Sequence, residues 1–185
     1  MPHRAFIGIG TNLGDRVANF RDAIHRIGAL PSTRVVRQSS VYETEPMGDI
    51  QGLFLNGVVE VDTAMLADEL LRRLLTIERT MGRKRVPANK RTIRTSPQPR
   101  VIDLDLLFFE NQVADTPALQ LPHPRLHERR FVLAPMAELA PMLIHPTLKK
   151  SISELLAGLK SPYRVALARA DMLRPNPARR EVLSR

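Results

Sequence analysis

The chain has 185 residues, enough for one domain of ordinary size, and 43% of them are hydrophobic, which excludes a disordered chain. No apolar run approaches the roughly 18 residues of a membrane span, and the first strand-like segment is too short for a signal-peptide core. There are no cysteines, which removes disulfides and thiolate chemistry and suits a reducing cytoplasm, while a net charge of +9 favours polyanionic partners such as nucleic acid, acidic lipid or a nucleotide.

Ala5–Gly10 reads as a buried strand, and Thr11 to Asp15 as a turn. A helix follows to about Leu30, with Val17, Phe20, Ala23, Ile24 and Ile27 on its apolar side and Pro31 as its stop. Val35 to Tyr42 reads as a second strand and Leu53 to Val61 as a third, joined by a loop containing Pro46 and Gly48. Ala67 to Met81 is an amphipathic helix, with Ala67, Leu70, Leu71, Leu74, Ile77 and Met81 at helical spacing and Gly82 as its stop. Residues 83–99 form a long loop with six Lys or Arg and no acidic residue. Pro99 to Phe109 reads as a strand, and Phe131 to Leu139 as a helix interrupted by Pro135. This order predicts an α+β domain over residues 1–170, with helices covering a mainly antiparallel sheet. Residues 171–185 read as a basic, flexible tail.

The densest chemistry lies in the strand after the basic loop. Side chains alternate along a strand, so Ile102, Leu104, Leu106 and Phe108 are expected on one face. Asp103 and Asp105 then share the other, about 7 Å apart. Two neighbouring carboxylates on so apolar a strand repel each other, and a bound cation relieves that. Mg²⁺ is held in this way, by one or two carboxylates plus substrate phosphates. Arg100 suits a phosphate. The stretch Leu121 to Phe131 adds His123, His127, Arg125, Arg129 and Arg130. The glycines of Gly8 to Gly14 do not have the spacing of a dinucleotide fingerprint and read as a tight turn. The basic loop lacks the aromatic platforms of a single-strand binder and reads as a cationic lid over phosphates.

The chain resembles the 6-hydroxymethyl-7,8-dihydropterin pyrophosphokinases. The likeness runs from about Ala5 to His145. It rests on Ile9-Gly10-Thr11-Asn12-Leu13-Gly14, Ser39 through Gly48, Phe54-Leu55-Asn56, Ile77-Glu78-Arg79 with Gly82-Arg83, Pro99 through Asp105, and Leu121-Pro122-His123 through Phe131. It implies a ferredoxin-like fold, a three-layer α/β/α sandwich, and transfer of the β,γ-pyrophosphate of ATP to a pterin alcohol in folate biosynthesis. Asp103 and Asp105 are implied as ligands of two Mg²⁺ ions, and Arg83 and Arg100 as catalytic phosphate clamps beside them. The ATP contacts implied are Glu78, Arg83, Arg100, Leu106, His123 and Arg129. The pterin contacts are Thr44, Glu45, Met47, Phe54, Asn56 and Phe131. The chain departs from the family pattern at Pro97, where many members carry Trp, at Pro124 in place of Tyr, and at Leu75 in place of Gln. The partners expected are ATP and a pterin alcohol, with no nucleic acid and no membrane, for a monomer. Two other readings are a catalytically silent pterin- or nucleotide-binding relative and a basic RNA-binding domain.

Overall fold

The computed structural model describes residues 1–46, 51–83 and 99–168. The expectations for Met47, the basic loop beyond Arg83, Pro97 and the C-terminal tail therefore fall outside the described residues. The elements in chain order are β1 (His3–Thr11), α1 (Arg16–Gly28), β2 (Thr33–Gln38), β3 (Tyr42–Thr44), β4 (Phe54–Thr63), α2 (Ala67–Thr80) and β5 (Asp103–Phe109). They continue with β6 (Ala114–Asp115), β7 (Gln120–Leu121), a 3₁₀ turn (Leu126–Glu128), α3 (Arg130–Leu139), α4 (Ile152–Gly158) and β8 (Val165–Leu167).

The main sheet runs β5-β1-β4-β3-β8, with β2 also on β4, and its pairings are antiparallel. The α1 and α2 side buries Ala5, Ile7, Ile9, Leu55, Val59 and Leu104 against Phe20, Ala23, Ile27, Leu70, Leu74 and Ile77. The opposite side buries Phe6, Val58, Leu107 and Phe108 against Val132, Leu133, Met136 and Ile152 of α3 and α4. Helices thus cover both faces, giving the three-layer α+β sandwich expected.

Local chemistry explains where the elements start and stop. The Asp15 carboxylate caps α1 by accepting the Ala18 N–H at 3.0 Å. Gly82, at a φ of +94°, turns the chain out of α2. The expected second strand is divided into β2 and β3 at Ser39. There the Ser39 hydroxyl accepts the Val58 N–H at 2.9 Å, and the Ser39 N–H donates to the Val58 carbonyl at 2.9 Å. Gly57 beside this break is required by packing, since a Cβ there would lie 2.8 Å from the Phe20 ring.

Three expectations are corrected. Phe108 does not share a face with Ile102, Leu104 and Leu106. The β1–β5 register shifts between Phe6 and Ile7, so Leu107 and Phe108 both pack beneath α3 and α4 while Phe109 rejoins the other core. Regular β5 pairing also begins at Asp103 rather than Pro99. Finally, α3 continues through Pro135. Proline removes one helical hydrogen bond, and the burial of Val132, Leu133, Met136 and Leu139 outweighs that loss.

Candidate active site

The site occupies the half of the α3-side sheet face that lies beyond the packing of Phe6, Val58, Leu107 and Phe108. Asp103 and Asp105 project there from the start of β5. Across from them on β1 stand Gly10 and Gly8, which contribute no side chain. Beyond Gly10 lies Asn56 of β4, and beyond Asn56 lies Tyr42 of β3. A Cβ at Gly10 would sit 3.0 Å from Asn56 Oδ1 and 3.8 Å from Asp103 Cβ. Glycine therefore keeps the floor between the carboxylates and the amide clear.

The two aspartates have different surroundings. Arg83 and Arg100 both make hydrogen-bonded ion pairs with Asp103. Burial drives the Asp103 carboxyl up, but the guanidinium groups of Arg100 and Arg83 outweigh it and hold it below the ordinary carboxylate range. Asp105 faces Arg129 at 3.7 Å and His123 Nε2 at 3.9 Å, both longer than a hydrogen bond. Its carboxyl is pushed up to about 7, first by burial and then by the charge of Asp103. A half-buried acidic pair with one member weakly compensated fits a hard divalent cation. Among the described residues no group of three or more His, Asp or Glu is arranged to hold a metal ion. Two protein carboxylates, with the other positions left to water and phosphate oxygens, is the way Mg²⁺ is usually held.

The surrounding cations are fixed from several elements. Glu78 of α2 is 0% exposed. It pairs with Arg83 and accepts the Leu104 N–H at 2.8 Å. It thereby holds the end of α2 and the start of β5 together and acts on the site through Arg83. Arg100 is held by its backbone: its N–H donates to Asn12 Oδ1 at 2.7 Å, and the Asn12 N–H donates to its carbonyl at 3.1 Å. Asn12 is thus a positioning residue that sequence reasoning missed, because an amide between glycines reads as a turn former.

His123 is tied to β5 by its N–H on the Leu107 carbonyl at 2.9 Å. Its Nδ1 accepts the Arg125 N–H at 3.2 Å, which leaves the ring proton on Nε2, the atom facing Asp105. Burial, and then Arg129, lower its pKa to about 4, so the ring is neutral at pH 7. The Arg129 guanidinium lies 5.8 Å from the centre of the Phe131 ring, and its buried Nε has no hydrogen-bond partner among the described residues.

Of the residues expected around the pterin, Asn56 donates to Thr44 Oγ1 at 2.7 Å, and both are buried. Phe54 stands two residues from Asn56 on the same face of β4. Phe131 lies in the first turn of α3, and Glu45 lies just past β3. Glu138 of α3 bonds to the Tyr42 hydroxyl and accepts the Ser40 N–H at 2.7 Å, linking α3 to β3. Leu106 stands next to Asp105 on β5. Its side chain is buried in the α1/α2 core, on the face away from the carboxylates. Any contact it makes with a ligand in the site must come from its backbone.

The family model described as 7,8-dihydro-6-hydroxymethylpterin-pyrophosphokinase (HPPK) matches residues 6–141. The chain belongs to this family. It is 39% identical over 155 residues to the 2-amino-4-hydroxy-6-hydroxymethyldihydropteridine pyrophosphokinase of Methylorubrum extorquens, covering 82% of this chain and 93% of that one. The protein of the same name from Bacillus subtilis is 40% identical over 140 residues, covering 75% of this chain and 79% of that one. A solved Plasmodium falciparum HPPK-DHPS superposes with a TM-score of 0.63 at 14% identity, over 85% of this chain and 44% of that longer one. At that identity the likeness speaks for the fold, and this chain spans under half of the bifunctional protein.

Proposed function

We propose that the protein transfers the β,γ-pyrophosphate of ATP to the hydroxymethyl oxygen of 6-hydroxymethyl-7,8-dihydropterin, giving AMP and the pterin diphosphate for folate biosynthesis. Family membership carries the activity. One observation carries its placement: two adjacent carboxylates, four surrounding cationic or proton-bearing side chains and a glycine-cleared floor meet on one open half-face. Asp103 and Asp105 would hold Mg²⁺, two ions in this reading, which when bound neutralises phosphate charge. Arg83 and Arg100, both paired with Asp103 here, would turn their guanidinium groups to phosphate oxygens in fork geometry once Asp103 holds the metal. His123 presents Nε2–H, and Arg129 its guanidinium, from the far side of Asp105. Thr44, Asn56, Phe54 and Phe131 form the acceptor side. Asn56 supplies both a donor and an acceptor for an amide-edged ring, and the two phenylalanines supply apolar faces. These residues place the hydroxymethyl oxygen for in-line attack on the β-phosphorus, with AMP as the leaving group.

A single chain supplies every one of these groups, which supports a monomer. Two cores on one sheet support reading residues 1–170 as one domain. Among the described residues, no helix is long and apolar enough to cross a membrane.

AMP release from ATP and Mg²⁺ is expected to require 6-hydroxymethyl-7,8-dihydropterin. Binding of ATP and pterin without AMP release supports the silent relative instead. Salt-sensitive gel shifts with generic RNA, and no pterin binding, support the RNA-binding reading.

A further inference from the structure

The segment that follows α4 lies outside the span matched by the family model, yet it builds part of the site's surroundings. β8 pairs with β3 in the register Thr44↔Val165, Glu43↔Ala166 and Tyr42↔Leu167. The pairing continues beyond the strands. The Glu45 N–H donates to the Arg164 carbonyl at 3.1 Å, the Arg164 N–H donates to Glu45 Oε2 at 3.0 Å, and the Ala168 N–H donates to the Val41 carbonyl at 2.8 Å. Both ends of β3 are therefore fixed by this segment. Between it and the start of α3 lies a cavity of about 210 Å³. Glu45, Arg129 and Phe131 line it from the side of the catalytic groups, and Lys160, Tyr163 and Val165 from the side of β8.

The lining is amphipathic in a particular way. Phe131 and Tyr163 offer aromatic surface, Glu45 an acceptor, and Lys160 a donor. Flat heterocycles with nitrogen and oxygen on their edges match such a set.

We propose that Lys160–Val165 forms a specificity wall for the acceptor heterocycle, with Tyr163 contributing ring contact and Lys160 a polar contact, while β8 sets the position of Thr44 and Glu45. This rests on the pterin reading of the acceptor side given above. The wall adds recognition of the acceptor and leaves the ATP side untouched.

Steady-state kinetics of Tyr163→Ala, Tyr163→Phe and Lys160→Ala test it, with pterin and ATP varied in turn. Tyr163→Ala is expected to raise the pterin KM by about tenfold, the weight of one aromatic contact. Its ATP KM is expected to stay within about twofold, and Tyr163→Phe to restore the pterin KM. Lys160 is exposed, so Lys160→Ala keeps the fold and is expected to raise the pterin KM by a few-fold. An unchanged pterin KM in both alanine variants overturns the wall, as do equal rises in both KM values. Calorimetric binding of the pterin to the same variants separates this from the parent reading. Wild-type protein that binds pterin without turnover defeats the catalytic proposal alone, and the wall then stands or falls on the binding constants. Wild-type protein that binds no pterin defeats both.

Discussion

One face of the central sheet is two surfaces laid end to end on the same strands. Toward one end, Phe6 of β1, Val58 of β4, and Leu107 and Phe108 of β5 are packed under α3 and α4. Toward the other, the same three strands carry Gly8 and Gly10, Asn56, and Asp103 and Asp105. The first half gains stability from every buried methylene. The second leaves space and keeps two like charges close. The bulge at Leu107–Phe108 marks the boundary, since it brings two consecutive apolar residues to the covered side just after the second aspartate. A fold of marginal stability keeps such a half-face where function requires it.

The largest way to break this contrast is to remove a carboxylate. Asp103→Ala or Asp105→Ala is expected to lower pterin-dependent AMP release by about 10³-fold or more while the circular dichroism spectrum stays native. Near-normal turnover in either variant contradicts the metal-ligand assignment. Ile152→Ala probes the covered half. Ile152 is fully buried in α4, and its truncation is expected to cost about 2–5 kcal/mol in denaturant titrations. The kcat of the folded fraction should stay close to that of the wild type.

Asp105→Asn sharpens the comparison because it should move stability and activity in opposite directions. The folded-state pKa of Asp105 is raised from 3.8 to about 7. Stability is therefore unaffected by this group below about pH 4 and is lost as the pH rises through about 7, where the fold must carry an unwanted charge. In chelator at pH 8 the asparagine variant is expected to be more stable than wild type by about 1–2 kcal/mol. The full linkage value is discounted because the side chain is 33% exposed. Equal stability of the two proteins at pH 8 counts against an uncompensated Asp105.

The smallest effect belongs to the rim of the covered half. His145 packs edge-on to Phe108, and its Nδ1 accepts the Thr147 and Leu148 N–H groups. Burial, then the neighbouring His127, lower its pKa. Its contribution is present above the ordinary histidine pKa and is lost as the pH falls through the lowered value. Thermal melts from pH 7.5 down to pH 5 should show a shallower decline for His145→Asn than for wild type, by less than about 1 kcal/mol. Parallel declines contradict this role.

The aspartate pair was legible in the sequence because a period of two puts alternate residues on one face, and charges between apolar neighbours report which face they share. The bulge was not legible, since in Leu106-Leu107-Phe108-Phe109 every residue is apolar and none reveals its side. α1 and α2 were legible from their apolar spacing. α4 carries a local signal that sequence reasoning passed over: Ser151 accepts the Glu154 N–H, and the Glu154 carboxylate accepts the Ser151 N–H. β8 has no such signal, because three residues become a strand only by pairing with β3. The burial of Glu78 and the hold of Asn12 on Arg100 join residues far apart in the chain, so spacing could not reveal them.

The most direct test measures pterin-dependent AMP release, in parallel with the unfolding free energy in chelator at pH 8, for wild type, Asp105→Asn and Ile152→Ala. The account predicts that Asp105→Asn loses turnover and gains stability, whereas Ile152→Ala loses stability and keeps the kcat of its folded fraction. Turnover retained in Asp105→Asn, or lost from folded Ile152→Ala, would contradict the division of this sheet face into a working half and a packed half.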